Sequence, residues 1–212
     1  MKKIILLITA TVFIAYNINA QETVVDLREQ MQFGLKIGMN YSNVYDTQGD
    51  QFSADPKLGL ATGAFLAIPI GKYLGIQPEI LFSQKGFRAT GNILSLPYEF
   101  KRATSFIDVP LLIALKPSAG LTILAGPQYS YLIKQNDAYT GAPINFDQEQ
   151  EFKNENIRKN ILCFLGGLDF NLSNIVIGVR AGWDIQNNNG DGTSTTPRYK
   201  NVWYQGTVGF RF

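Results

Sequence analysis

The 212-residue chain has no histidine and a single cysteine, Cys163. Lacking imidazole, it lacks the side chain that most often moves protons near neutral pH. A serine or water nucleophile would need a lysine or a carboxylate pair as its base, so enzymatic chemistry is not expected. One cysteine excludes an intramolecular disulfide, which leaves hydrogen bonding and burial to hold the fold. Beyond residue 20 no run of eighteen apolar residues occurs, so no helix long enough to span a membrane is available. Charge of one sign is also missing. Nineteen Lys and Arg face seventeen Asp and Glu, and Lys2 and Lys3 lie in a segment expected to be removed. A neutral mature chain offers no basic footprint for nucleic acid.

That segment is MKKIILLITATVFIAYNINA, residues 1–20. Two lysines precede an apolar run from Ile4 to about Ala15, and Ala20 supplies the small residue of a cleavage point. The pattern is that of a cleaved secretory signal peptide. No cysteine follows Ala20, so a lipid anchor is not expected. Residues 21–31 read as a short lead-in, and 32–212 as one domain.

Within that domain the dominant signal is a period of two, which belongs to strands with different environments on their two faces. In FGLKIGMNYS, Phe33, Leu35, Ile37, Met39 and Tyr41 alternate with Gly34, Lys36, Gly38, Asn40 and Ser42. Seven further segments repeat it, centred near residues 64, 78, 111, 126, 167, 180 and 207, with no convincing amphipathic helix between them. The connections alternate as well. Gly71-Lys72, residues 116–120 and residues 171–174 are tight turns, whereas 44–57, 89–98, 134–159 and 186–200 are long and polar.

An even number of strands with short turns at one end and long loops at the other predicts an all-β, eight-stranded antiparallel up-and-down transmembrane barrel in the cell outer membrane. Both termini then lie on the periplasmic side. A soluble barrel of lipocalin type would carry its large apolar side chains inside. Here the apolar face is uniformly large, while the other is rich in glycine with scattered charges, which suits a narrow interior. Lipid therefore takes the apolar face. Aromatics fall near both ends of that face: Phe33, Phe170, Phe210 and Phe212 at one, and Tyr41, Phe82, Tyr131, Phe164, Trp183 and Tyr204 at the other. Two such girdles are expected at two membrane interfaces.

By the same parity Lys36, Glu79, Asp108 and Arg180 point into the lumen near mid-depth. Charges buried together must pair, so they are expected to form a structural plug rather than an ion path, with Glu79 and Asp108 as the acids for Arg180. Cys163 faces inward as a small filler. Asp184, Asn188 and Asp191 offer oxygens but lack the spacing and terminal Glu of a calcium loop. No catalytic, cofactor-binding or metal-binding residue is assigned. The acidic and aromatic stretch with Asp147, Glu149, Glu151 and Glu155 is the longest loop.

The segments LGIQPEILFSQKG (74–86), SFIDVPLLIALKP (105–117) and LAGPQYSYL (124–132) resemble the PorT-type outer-membrane β-barrel proteins of Bacteroidetes. Gln21 after the cleavage point is similar to the exported proteins of that group. The terminal GFRF ending in Phe212 is similar to the signal by which such barrels are presented to the outer-membrane assembly machinery. The resemblance implies outer-membrane lipid and lipopolysaccharide as surroundings, that machinery as a partner, and a structural or assembly role linked to secretion. Its name-giving member is associated with secretion of cell-surface proteins. A surface receptor or adhesion scaffold acting through the long loops is the alternative, and a small channel a weaker one.

Overall fold

A computed structural model describes residues 26–46, 54–93, 96–141, 158–188 and 199–212. Eight strands are formed: β1 (Gln32–Asp46), β2 (Ala54–Pro69), β3 (Leu74–Ile93), β4 (Leu96–Ser118), β5 (Leu121–Gly141), β6 (Asn160–Leu172), β7 (Ile175–Asp184) and β8 (Tyr199–Arg211). Each pairs antiparallel with its neighbours in sequence, and β1 pairs β8 to close the barrel. Closure leaves no open edge in the ring, the condition for burying a sheet in hydrocarbon. No helix among the described residues is long and apolar enough to cross a membrane.

The alternation of the sequence becomes inside and outside. Leu35, Ile37, Leu58, Ile80, Ile113, Val179 and Val208 are each between 47% and 59% exposed. Their neighbours Lys36, Glu79, Leu112, Arg180 and Thr207 are buried. No solvated face of a soluble domain carries such a continuous apolar wall; hydrocarbon does.

Three turns, the start of β1 and the end of β8 lie together at what we call the turn end. Ile70–Tyr73 joins β2 to β3, Ala119-Gly120 joins β4 to β5, and Ser173-Asn174 joins β6 to β7. Ser173 has φ 53°, the left-handed backbone of a tight two-residue hairpin. Arg211 clamps this turn, its Nε donating to Ser173 O at 2.7 Å while Asn174 Nδ2 donates to Arg211 O at 2.9 Å.

Strand length departs from the sequence expectation at the opposite end. A membrane crossing takes about 9–11 strand residues, and β7 has 10, but β3, β4 and β5 have 20, 23 and 21. Within the stretch 89–98, expected as a loop, residues 89–93 and 96–98 continue the β3–β4 ladder to Ile93↔Leu96. Likewise 134–141, the start of a supposed loop, pairs with β4 up to Gly141↔Tyr98. The β3–β5 sheet thus projects unevenly. Strand β5 runs on through 132–141 past its last β6 pair, Tyr131↔Asn160, a length of about 30 Å along the strand. By contrast, β2 follows β3 as far as Ala54↔Ala89, and only 90–93 extend past it. Outside hydrocarbon the outer face no longer has to be apolar, so the hydropathy signal fades while the backbone pairing persists. Residues 1–20, expected as a signal peptide, the acidic stretch 147–155 and Asp191 lie outside the described residues.

Candidate functional site

The lumen is built from the inward side chains of all eight strands and falls into three layers. Nearest the turn end is a charge cluster. Lys36 Nζ on β1 donates to Glu79 Oε2 on β3, and Arg180 Nη1 on β7 donates to the same oxygen at 2.7 Å. Arg180 Nη2 also reaches both oxygens of Asp169 on β6, at 3.3 and 3.1 Å. Gln77 Nε2 donates to Glu79 Oε1 at 2.9 Å and lies 3.4 Å from Asp169 Oδ2. Glycine makes room for this. A Cβ on Gly167 would fall 2.7 Å from Arg180 Cγ and 2.3 Å from Val179 O, so any side chain there displaces the guanidinium.

The middle layer is apolar around a second ion pair. Phe106, Leu112, Leu124, Ile161, Cys163, Leu165 and Trp203 form one buried cluster. Inside it Lys85 Nζ lies 3.0 Å from Asp108 Oδ2 and 3.8 Å from the Trp203 ring centroid. A dehydrated ammonium over an aromatic face gains a cation–π attraction that partly replaces its lost hydration. Gly182 admits the indole, since a Cβ there would sit 2.3 Å from Trp203 Cζ2. Asp184 accepts from Asn201 Nδ2 at 2.5 Å, Asn201 N at 2.9 Å and Asn188 Nδ2 at 3.3 Å. Cys163 Sγ donates to Asp184 Oδ1 at 3.2 Å, so its thiol is committed inside the core.

The third layer lies beneath the projecting sheet. Val44, Phe87, Ala89 and Phe100 pack together, with Tyr199 set edge-on to Phe87 at 5.5 Å. Arg102 forks onto Asp137 with two bonds of 2.8 Å and donates a third of 2.8 Å to Tyr199 Oη. Bidentate pairing fixes orientation as well as charge, and it locks β4 to β5 across the mouth.

Of the four charges expected in the lumen, Lys36, Glu79 and Arg180 come together. Asp108 does not join them; it pairs with Lys85 instead. The second acid of Arg180 is Asp169, not Asp108. Parity along single strands places side chains inside correctly, but it cannot give relative depth, because strands in a barrel are tilted and staggered. Lys85 and Asp169 shared the inward parity and were legible by that signal alone. Asn188 Nδ2 points at Asp184 as a donor, the opposite of a metal-ligand arrangement, and no group of three or more acidic or cysteine side chains that could hold a metal occurs among the described residues. Phe212, at the end of the chain, is 68% exposed on the lipid face. Its N–H donates to Phe33 O at 2.8 Å, and its ring stacks on Phe33 and meets Phe210 edge-on.

A closed, eight-stranded barrel with an apolar outside and a filled polar inside is an integral outer-membrane β-barrel protein. The chain belongs to the family described as the outer membrane protein beta-barrel domain, which matches residues 19–188. Among solved structures it is similar to the attachment invasion locus protein Ail of Yersinia pestis, at 14% identity over 85% of this chain and 98% of that one, with a TM-score of 0.46. It is also similar to Neisserial surface protein A, at 9% identity over 85% and 97%, TM-score 0.44. A third similar structure is OprG of Pseudomonas aeruginosa, at 10% identity over 87% and 97%, TM-score 0.39. No curated protein sequence matches the chain.

Proposed function

We propose that this is a non-enzymatic outer-membrane scaffold whose working surface is the projecting β3–β5 sheet. The observation that carries the reading is the length of those three strands, about twice what a membrane crossing uses. The strand residues past the last β2 and β6 pairs order backbone at a cost of about 1–2 kcal/mol each, and neither spanning the bilayer nor closing the ring needs them. The lumen supports the same reading: its charges are mostly paired with one another and its one thiol is bonded inward, so reactive groups do not face a common cleft.

In this reading the signal peptide is removed after Ala20, residues 21–31 are a periplasmic lead-in, and both chain termini are periplasmic. The projecting sheet then stands on the cell surface, and Phe212 serves as the recognition end for the assembly machinery. Lipopolysaccharide surrounds the aromatic girdle near Tyr41, Tyr131 and Trp183. The second reading is a secretion-associated assembly component, favoured by the likeness of 74–86, 105–117 and 124–132 to PorT-type proteins. Its contacts would lie at the lead-in.

A photo-crosslinking residue placed at Thr90 on the sheet, or at Glu29 in the lead-in, separates the two in intact cells. A discrete protein adduct from Thr90 is expected, together with labelling of a Thr90→Cys variant by a membrane-impermeant thiol reagent. Adducts confined to Glu29, with Thr90 silent, would transfer the assignment to the assembly reading. A Thr90→Cys site that labels only in broken cells would reverse the orientation.

A further inference from the structure

The barrel interior carries more positive charge than negative. Buried among the described residues are the cations Lys36, Lys85, Arg102, Lys116, Arg180 and Arg211 and the carboxylates Glu79, Asp108, Asp169 and Asp184. Lys36 and Arg180 share Glu79 and Asp169, Lys85 takes Asp108, and Arg102 takes Asp137. Lys116 and Arg211 form no such pair among the described residues. Both are 7% exposed, and both bond neutral acceptors. Lys116 Nζ donates to Arg28 O at 2.9 Å. Arg211 donates to Ser173 O at 2.7 Å, Gln32 Oε1 at 3.0 Å and Asn171 Oδ1 at 3.3 Å.

These two side chains line one cavity of about 30 Å³ at the turn end, with Arg28, Gln32, Thr122 and Asn171 among its other walls. Asp169 lines it too, but both its oxygens already accept from Arg180. Charge withdrawn from water requires a counter-charge, and two cations facing one space repel unless something negative stands between them. Thr122 adds a neutral donor, because its oxygen accepts from Asn171 Nδ2 at 3.0 Å and its hydroxyl proton remains free to point inward.

We propose that this vestibule is a binding site for a small monovalent anion of halide type, held between Lys116 Nζ and the Arg211 guanidinium. Size selects the class. The cavity holds about two water molecules, room for one halide against both cations. The site lies at the barrel mouth and exchanges with solution beneath the lead-in, whose Arg28 carbonyl occupies one of the three Lys116 donors. The anion and the lead-in therefore share a lysine, and filling the site steadies both.

The test is chloride-35 line broadening on the full chain in detergent micelles, with bromide anomalous scattering from soaked crystals to locate the ion. Saturable broadening that bromide displaces is expected, and it should fall to the solvent value in the Lys116→Met/Arg211→Met double variant. The surface double variant Arg88→Gln/Lys101→Gln should retain it. Where the vestibule variant does not fold, the bromide position in the native protein decides, with a peak within hydrogen-bond reach of both cations expected. Bromide found only elsewhere, or broadening unchanged by the vestibule variant and lost with the surface one, overturns the site.

Discussion

At the scale of single residues, the structure decides which acid depends on Arg180. Glu79 keeps Lys36 if the guanidinium is removed, whereas Asp169 is left with only the weaker Gln77 contact. Removing one member of a buried ion pair costs about 3–5 kcal/mol, so Arg180→Met should destabilise the barrel by about that amount in urea unfolding from lipid vesicles. Val179→Met, one residue away on the lipid face, keeps an apolar group in hydrocarbon and should cost about 1 kcal/mol or less. Adding Asp169→Asn to Arg180→Met removes the stranded charge and should recover about 1–3 kcal/mol as a coupling energy. Adding Asp108→Asn should recover nothing, because Asp108 belongs to Lys85. Rescue by Asp108→Asn rather than Asp169→Asn would show the lumen pairs to be assigned wrongly. Which charges point inward was legible from parity alone. Which pairs they form was not, since that depends on tilt and stagger, quantities shared between strands that no single strand encodes.

At the scale of elements, legibility followed the solvent. Wherever a strand lies in hydrocarbon, as from Phe33 to Tyr41 or Ile175 to Trp183, its outer residues must be apolar, and the period of two is plain. Outside hydrocarbon the outer positions need not be apolar, so Arg88 and Lys101 beside the β3–β4 tip and Lys134 on β5 stand where leucines would otherwise be, and the pattern reads as loop. The ladder there is local, which makes it removable. Joining Thr90 to Glu99, which are register partners, through an Asn-Gly turn that suits a two-residue hairpin should leave the urea midpoint of the barrel unchanged, while adducts to the sheet disappear. Lost stability of more than about 1 kcal/mol would mean the tip braces the barrel. The lead-in is a second local element. Arg28 bonds Asp26 at 2.7 and 2.8 Å and stands over the Tyr73 ring at 5.4 Å. Its guanidinium holds the Asp26 carboxyl well below the ordinary 3.8. A depressed carboxylate stabilises above its unfolded-state value and loses that contribution as pH falls through the folded one. Amide exchange at Gln30, whose N–H donates to Leu27 O at 3.1 Å, should therefore show no change in protection attributable to Asp26 between pH 8 and 5. Arg28→Ala should remove the protection at every pH; a protection loss centred between pH 5 and 7 would mean that a group other than Asp26 controls this turn.

At the scale of the whole molecule, the barrel closes a pore and then fills it. An eight-stranded ring leaves an interior about one side chain wide on each side, and here that width is spent three times in succession. Glu79 with Arg180 and Lys36 blocks the turn-end third, Trp203 with Lys85 and Phe106 the middle, and Phe87, Phe100 and the Arg102–Asp137 fork the far end. Trp203 is 0% exposed and Glu79 and Arg180 are each 4% exposed, which leaves no continuous water column through them. Opening a path would separate Arg180 from two carboxylates and strand Arg180 and Asp169, a cost of several kcal/mol that no contact on the lipid face returns. Reconstituted in planar bilayers, the native protein should give no steady conductance on the nanosiemens scale. Trp203→Ala combined with Phe106→Ala removes the middle block, yet should also stay closed, because the charge cluster and the outer layer each seal the lumen alone. Stable large openings in the native protein would overturn the filled-lumen reading. Openings that appear only in the double variant would instead place the single decisive seal at the indole.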